Sequence, residues 1–590
     1  MLQGFIEKAA EPHKAASLKS ESNLPLFSLL LLSLLALFLA GPSGNFPIND
    51  DRLYAYGVKS IVDTGVFSIQ GSNAFDFIPI QAGALVCKLT GFSYEPLRYL
   101  TIAFHLFGIL GLYLALRELK TRKLDSALLA SVYAFNPFLI SLSLSFMTDV
   151  PAMALNNWSI YFAIKGMQRK RLLPFIFSLC FLTAAMSVRQ TSLVLLPALV
   201  LALFVSLIDL KDRALFLVSL SIPGLAYFSL QRWLLDAVGF AGGYWAFSDL
   251  LMSALRSLSP LCLMDTVAKG LCYLGLFVLP LALTLLIAAF SSKLSRLSLS
   301  ISAILTLVLV AAPLAYDQLH GAFMPYSLNL FLPPILGAYC LIGGTATWTA
   351  EHLKSFTYFC DFAALAAAFS IFLSYLAKET RPASVSPSQS FDLKIFRVYS
   401  FVLLGTVVLG LVLQLAASNL DRYYLIALSP LIIALTPLWN LLSAGRFRLL
   451  AALSSMLIAV YAVLAAADIM NFTRAQWQFV RELEAAGVNR KHIDGGANYP
   501  ADYVEPLFTL TFKQGVGWPE RLRGRSQSRN LRWWPVLRDD YVVATIKIDN
   551  YHVIGERRFF SPLRWKNKTM YILEADDLKQ TLNLKKSGEL

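Results

Sequence analysis

The sequence predicts a mainly α, polytopic membrane protein: a helical bundle of about 13 spans with an amphipathic first external loop and a small C-terminal α+β domain. Three observations carry that expectation. Of 590 residues, 56% are hydrophobic and only 15% are charged, and the mean hydropathy is +0.58. A water-soluble chain needs about a quarter of its residues charged to keep its surface wet. Long uncharged stretches also recur along the chain, separated by short basic loops, which excludes a soluble enzyme of several domains.

The first apolar run, residues 24–40, follows Lys8, Lys14 and Lys19 and is uncharged. It reads as an uncleaved span with the N-terminus inside, because the following GPSGNF is a poor cleavage site. Thirteen further stretches follow at 99–116, 126–146, 150–164, 172–188, 191–208, 214–230, 270–290, 297–315, 327–347, 356–376, 398–417, 423–442 and 449–467. In lipid each must satisfy its backbone internally, so each is expected to be helical.

The basic runs 117–123, 165–171, 211–213 and 446–448 sit between these stretches, so the net charge of +14 reads as topology and not as a nucleic-acid surface. Counting from the front places 42–97 and 231–265 outside. Counting back from 443–448 places 418–422 and the tail outside. The two counts differ by one crossing, so one candidate between 297 and 397 is expected to be re-entrant or broken, leaving about thirteen spans.

Two regions interrupt the apolar rhythm. In the loop 42–97, Tyr54, Val58, Ile61 and Val62 share one helical face, with Arg52, Lys59 and Asp63 elsewhere on the wheel, so an amphipathic helix lying in the interface is expected. The tail from 471 to 590 holds 20 Lys+Arg and 14 Asp+Glu, with strand-like runs at 541–548 and 569–573. A small α+β domain outside the membrane is expected there, with residues 1–470 forming the transmembrane catalytic domain.

Six dispersed cysteines with no CxxC pair, and six histidines with none at i, i+4, suggest neither a disulfide framework nor a protein-built metal site. Four other places carry chemistry. Asp50 and Asp51 follow the first span; either one can cap the helix that begins there or face a cavity. Asp149 lies in the short connection 145–151, at the same external level. Arg189 and Gln190 stand between apolar runs that leave no room for a loop, and Arg422, Tyr423 and Tyr424 head a later span. Snorkelling or an interfacial anchor is the plain alternative for the two arginines. Together, acids for an acceptor hydroxyl and guanidinium forks for a phosphate describe transfer of a group from a polyprenyl phosphate carrier.

The first-loop segment FPINDDRLYAYGVKSIVDTGVFS, the glycine-bounded stretch Gly83 to Gly91, then LRYLTIAFHLFG and SFMTDVPAMAL resemble bacterial GT-C membrane glycosyltransferases, in particular protein O-mannosyltransferases and aminoarabinose transferases. The resemblance is clearest over residues 45–200 and continues through DRYYLIALSP; the tail segment HIDGGANYPADY is similar to tails of bacterial members. It implies inverting transfer from a polyprenyl-phosphate sugar on the periplasmic face of the bacterial inner membrane. The acceptor is an envelope lipid, glycan or protein. The first-loop acid of the family maps onto Asp50 or Asp51, with Asp51 favoured, and Asp149 matches a second-loop acid that holds the acceptor or a divalent ion. Metal dependence varies in the superfamily, so a divalent cation is a possible cofactor and no metal ligand is assigned. A lipid or solute transporter is the rival reading, but it predicts two related halves and no long amphipathic first loop.

Overall fold

In the computed structural model, the described residues are 22–48, 51–68, 76–205, 210–238, 270–291, 296–307, 331–332, 335–336, 350–376, 405, 421–442, 445–496 and 539–578. Their helices, in chain order, are α1 (Leu24–Leu39), α2 (Asp51–Thr64), α3 (Phe77–Thr90), α4 (Tyr94–Glu118), α5 (Lys123–Ala134), α6 (Pro137–Ser143), α7 (Asp149–Arg169), α8 (Leu172–Val188), α9 (Leu195–Val205), α10 (Leu210–Ser219) and α11 (Ser221–Val238). There follow α12 (Gly270–Phe277), α13 (Leu279–Ser291) and α14 (Arg296–Leu307), then α15 (Ala350–Leu376), α16 (Leu428–Leu442) and α17 (Gly445–Ala485). Short 3-10 turns at Gln190–Val194 and Asp421–Ala427 precede α9 and α16. The chain is mainly helical, as the composition requires.

Among the described residues, three helices are long and apolar enough to cross a bilayer, or five if each bent pair counts as one span. The expected thirteen are not confirmed, since several of the candidate stretches lie wholly or partly outside the described residues, and two of those described are bent. The stretch 126–146 is bent by 65° between α5 and α6, where Asn136 caps the N–H groups of Phe138 and Leu139 and Pro137 opens the new helix. The stretch 270–290 bends by 84° between α12 and α13, with Pro280 in the first turn of the second helix.

Between 297 and 397, where one broken candidate is expected, the described part of the stretch 327–347 is not helical. It carries a two-residue antiparallel ladder, β1 (Phe331–Leu332) with β2 (Ile335–Leu336), across a Pro-Pro pair that removes two helix donors. The candidate at 398–417 lies almost wholly outside the described residues.

One large cluster of buried side chains runs through the bundle and includes Leu97, Tyr133, Phe175, Tyr273 and Trp439. The amphipathic helix α2 presents Tyr54, Val58 and Ile61 to this cluster and not to an open interface. A Cβ on Gly83 would come within 2.9 Å of both Leu97 and Val58, so α3 can lie this close to α2 only with glycine there. At the far end of the bundle, Arg169 pairs with Glu118 and Arg448 with Asp125, which puts the basic ends of α4, α7 and α17 at one level.

Small residues also let α12 and α15 touch. A Cβ on Gly275 would lie 2.4 Å from the Ala363 carbonyl oxygen, whereas one on Gly224 of α11 would meet nothing within 4 Å. Gly275→Ala is therefore expected to lower the thermal midpoint, since overpacking costs about 1–3 kcal/mol. Gly224→Ala should raise the midpoint slightly through helix propensity. Thermal unfolding of both variants in detergent checks the contrast, and equal midpoints would remove the close approach.

Helix α17 has 41 residues, about 60 Å at 1.5 Å per residue, roughly twice the hydrocarbon thickness of a bilayer. It crosses the expected boundary at residue 471 without a break. Its last turns carry Phe472, Phe479, Val480 and Leu483 against a four-stranded sheet, with Ile493, Val543, Phe559 and Met570 opposite. The strands β3 (Ile493–Asp494), β4 (Tyr541–Ala544), β5 (Tyr551–Ser561) and β6 (Lys566–Ala575) stand in the order β3-β4-β6-β5. The first pair is parallel and the other two are antiparallel.

Candidate active site

The start of α7 and the end of α8 meet because the link between these two helices is short, and their meeting point is where the apolar rhythm leaves polar residues behind. Helix α7 begins at Asp149 with no side-chain cap from Thr148. Asp149 is 3% exposed, and Oδ1 of its carboxylate lies 2.7 Å from Nη1 of Arg189. The same Nη1 donates to Oγ1 of Thr148 at 2.9 Å, and the guanidinium carbon sits 4.6 Å from the centre of the Tyr423 ring. Arg189 can do this because the backbone turns extended there, with φ −145° and ψ 122°, before the 3-10 turn begins at Gln190.

A cleft opens at this point, lined by Asp149, Asn156, Arg189, Thr191, Arg422 and Tyr423 together with Ala152, Met153, Leu425 and Ile426. Residues 149, 152, 153 and 156 follow the i, i+3, i+4, i+7 rule, so one face of α7 forms a wall. Asn156 donates from Nδ2 to Ser192 at 3.1 Å. Its Oδ1 and the second carboxylate oxygen of Asp149, Oδ2, are buried with no hydrogen-bond partner among the described residues. Arg422 is buried within the wall.

Asp76 stands immediately before α3, in a left-handed conformation at φ 45°. Its backbone N–H donates to the Val188 carbonyl at 3.2 Å, which ties it to the end of α8. Its side chain is buried, and both carboxylate oxygens lack a partner. Burial pushes this carboxyl well above the ordinary 3.8; the neighbouring Asp149 charge adds to the rise and Arg189 opposes it. Two carboxylates and a guanidinium thus interact at one end of the bundle.

Asp51 has different partners. Its Oδ1 accepts the Ile48 N–H at 2.8 Å, the backward reach of an N-terminal capping arrangement, and its Oδ2 lies 3.5 Å from the Phe146 N–H. It therefore links the first loop to the turn that carries Asp149. Asp50 lies outside the described residues. The segment leading to Asp51 is held by the buried Arg98, whose guanidinium donates to the carbonyls of Pro42 at 2.6 Å, Gly44 at 2.9 Å and Phe46 at 2.6 Å. From the other side, Arg474 of α17 donates to the carbonyls of Gly41 at 3.2 Å and Ser43 at 3.1 Å.

Of the residues singled out in the sequence, Asp149, Arg189, Arg422 and Tyr423 line one cleft. Gln190 opens the adjacent turn, with Nε2 buried and no partner. Tyr424 points elsewhere: its ring stacks on Tyr273 at 4.8 Å within the core. Asp76, Asn156 and Arg98 escaped the sequence reading. Asp76 had one available signal, a lone acid directly before an apolar run. Among the described residues no group of three His, Cys, Asp or Glu side chains is placed to hold a metal ion.

Residues 82–233 match the family model described as dolichyl-phosphate-mannose-protein mannosyltransferase. The chain resembles the GT-C membrane glycosyltransferases. The resemblance seen over residues 45–200 is borne out where the two ranges overlap, which includes Asp149 and Arg189 but neither Asp51, Asp76 nor Arg422. Among solved structures, the chain is similar to ArnT from Cupriavidus metallidurans in the apo state, at 12% identity and a TM-score of 0.36, covering 94% of this chain and 98% of that one. It is also similar to the same protein bound to undecaprenyl phosphate, at 13% identity and a TM-score of 0.35, covering 92% and 97%. No curated protein sequence matches the chain.

Proposed function

We propose that this chain is a multi-pass glycosyltransferase that moves a sugar from a polyprenyl-phosphate donor to an envelope acceptor on the outer face of the bacterial inner membrane, with inversion at the sugar. The observation that carries the reading is the cleft in which Asp149, oriented by Arg189 and beside the buried Asp76, shares walls with a second arginine, Arg422. Acids alone would suit many hydrolases, and cations alone would suit an anion channel. Side by side in a bundle end, they suit a neutral hydroxyl attacking a sugar whose leaving group is a lipid-linked phosphate.

In this reading the acceptor hydroxyl donates its hydrogen bond to Asp149 Oδ2, which has no other partner. The hydroxyl oxygen forms a bond to the anomeric carbon as the bond from that carbon to the phosphate oxygen breaks. The proton passes to the carboxylate and the electron pair leaves with the polyprenyl phosphate. Attack opposite the leaving group inverts the anomeric centre. Arg189 and Arg422 neutralise the departing phosphate, and the Tyr423 ring under the Arg189 guanidinium holds that fork in place. Asp76, whose neutral form burial favours, keeps its proton and stands beside Asp149 as a hydrogen-bond donor to sugar or phosphate, not as a second base. Asp51 then orders the Phe146 turn. Gln190, Tyr423 and Asn156 offer hydrogen-bonding groups to sugar or phosphate.

A divalent cation fits the unpartnered oxygens of Asp76 and Asp149 only in part, as two carboxylates that would need phosphate oxygens to complete a shell. Such an ion would supply charge neutralisation for the phosphate.

The test is reconstitution of the purified chain with polyprenyl-phosphate sugars, coupled to mass spectrometry of envelope lipids, glycans and proteins from cells with and without it. Release of polyprenyl phosphate together with one missing sugar modification is the expected result. Movement of the intact sugar lipid across the bilayer without cleavage would make the chain a flippase and overturn the proposal.

A further inference from the structure

The β5–β6 hairpin of the C-terminal domain ends in a turn at residues 562–565 whose side chains have no part in the cleft. Trp565 is 79% exposed, the most open tryptophan side chain among the described residues that are large, apolar and exposed, and Phe560 is 41% exposed beside it. The two rings meet edge to face at 5.5 Å. An aromatic pair open to solvent on a small sheet is unfavourable unless something covers it.

The height of this turn is fixed by α17. Residues 449–467 carry no charge over 19 positions, about 28 Å of helix, and so match the hydrocarbon thickness of a bilayer. Within that run Leu449, Leu453, Met456, Leu457 and Val460 point outward. The first charge beyond it is Asp468, which accepts a hydrogen bond from Ser561 at the end of β5. One turn on, Asn471 donates to the Phe560 carbonyl at 3.1 Å. Leu563, at the centre of the hairpin turn, packs against the core of the helical bundle. The tip therefore sits where the apolar part of α17 ends.

Its charge has one sign. Residues 557–573 include Arg557, Arg558, Arg564, Lys566 and Lys568 and no acid. Arg557 is turned toward Glu482 of α17; Arg564 and Lys566 flank Trp565 at the turn. Burial pushes the Lys568 ammonium down, Asp468 opposes that, and the charges of Arg564 and Lys566 push it down further, so these cations stand close together. Tryptophan at the level where an apolar span ends, ringed by Lys and Arg, is the composition that settles among lipid headgroups.

We propose that the β5–β6 tip, through Phe560, Trp565, Arg564 and Lys566, rests on the headgroup layer of the bilayer crossed by α17 and binds its anionic phosphates. The proposal depends on the helices being membrane-spanning and on nothing in the catalytic reading. It makes the C-terminal domain a second point of contact with the membrane.

The experiment uses the full chain in nanodiscs of phosphatidylcholine alone or with phosphatidylglycerol, and compares tryptophan emission from the parent with that of Trp565→Phe. The difference isolates Trp565, which is exposed and outside the packed core, and an unchanged thermal midpoint checks that the variant is folded. The expected result is at least twofold stronger quenching of this difference by lipids brominated near the glycerol end than by aqueous acrylamide, and more so with phosphatidylglycerol. A difference fully quenched by acrylamide and indifferent to brominated lipid overturns the contact. In a chain carrying Arg564→Gln and Lys566→Gln, the phosphatidylglycerol increment is expected to disappear; if it persists, anionic recognition by these cations is wrong. Sugar transfer is measured separately, so a failed glycosyltransferase reading leaves the quenching result standing.

Discussion

Replacing Asp149 by Asn is expected to lower the rate of sugar transfer by about 10²–10⁴-fold, the range for loss of a positioned general base, while the chain remains in the membrane at normal abundance. The amide has the size of the carboxylate and still offers its oxygen to Arg189, which otherwise keeps only Thr148 among its polar partners. What it cannot do is take a proton from the acceptor at the position of Oδ2, which has no partner among the described residues. Arg189→Gln should also lower transfer, and the two substitutions together should cost less than the product of the single effects, because each disables the same pair. The measurement is the initial rate of polyprenyl phosphate release, normalised to protein in the membrane. Asp51→Asn provides the comparison. Its carboxylate is occupied by the Ile48 and Phe146 N–H groups, and an amide retains one acceptor for them. A rate within threefold of the parent for Asp149→Asn, alongside abolished transfer for Asp51→Asn, would assign the base to Asp51 as the family resemblance favours.

The parts of this fold that were legible in the sequence are those set by local periodicity. Tyr54, Val58 and Ile61 turn inward on α2 as their spacing requires, and the strand-like runs at 541–548 and 569–573 contain β4 and part of β6. Hydropathy alone could not see where an apolar run bends. Pro137 and Pro280 mark two such bends, yet prolines also occur within unbroken membrane helices, as Pro437 does in α16. It also could not tell that α17 would continue as one rod across the end of the apolar run into the C-terminal domain.

The site divides along the same line. Asp149 and Arg189 were legible because a charge between apolar runs is costly and needs a reason. Their pairing was not, since it depends on α7 and α8 lying antiparallel. Tyr424 shared the signal of Tyr423, but adjacent residues on a tight turn face different ways, and Tyr424 went to the core. Arg98 stands next to the run 99–116 and gives no signal in the sequence that its fork holds three carbonyls of the first loop. Asp76 offered only the signal of an acid before an apolar run, because its meaning comes from the tie between its N–H and the last carbonyl of α8.

That tie gives Asp76 an opposing influence on stability and on activity. Its carboxyl is buried, unpartnered and raised well above 3.8 in the folded chain. As pH rises past the ordinary aspartate value, the unfolded chain gives up this proton while the folded chain keeps it, so the folded state loses stability through that window and up to the raised value. Asp76→Asn removes the titration. The variant is therefore expected to match the parent in thermal midpoint near pH 4 and to exceed it increasingly as pH rises toward neutral, while sugar transfer falls at least about tenfold because the amide lacks the acidic proton that the neutral carboxyl offers. Thermal unfolding of both chains in the same detergent between pH 4 and 8, with transfer measured at each pH, checks the two halves together. A midpoint gap that narrows with rising pH would mean that Asp76 is stabilised as a carboxylate in the fold, and its strain would no longer account for its place beside Asp149. A gap that widens with transfer intact would leave the strain real but without a role in the chemistry, and would leave Asp149 as the acid at the cleft on which the transfer depends.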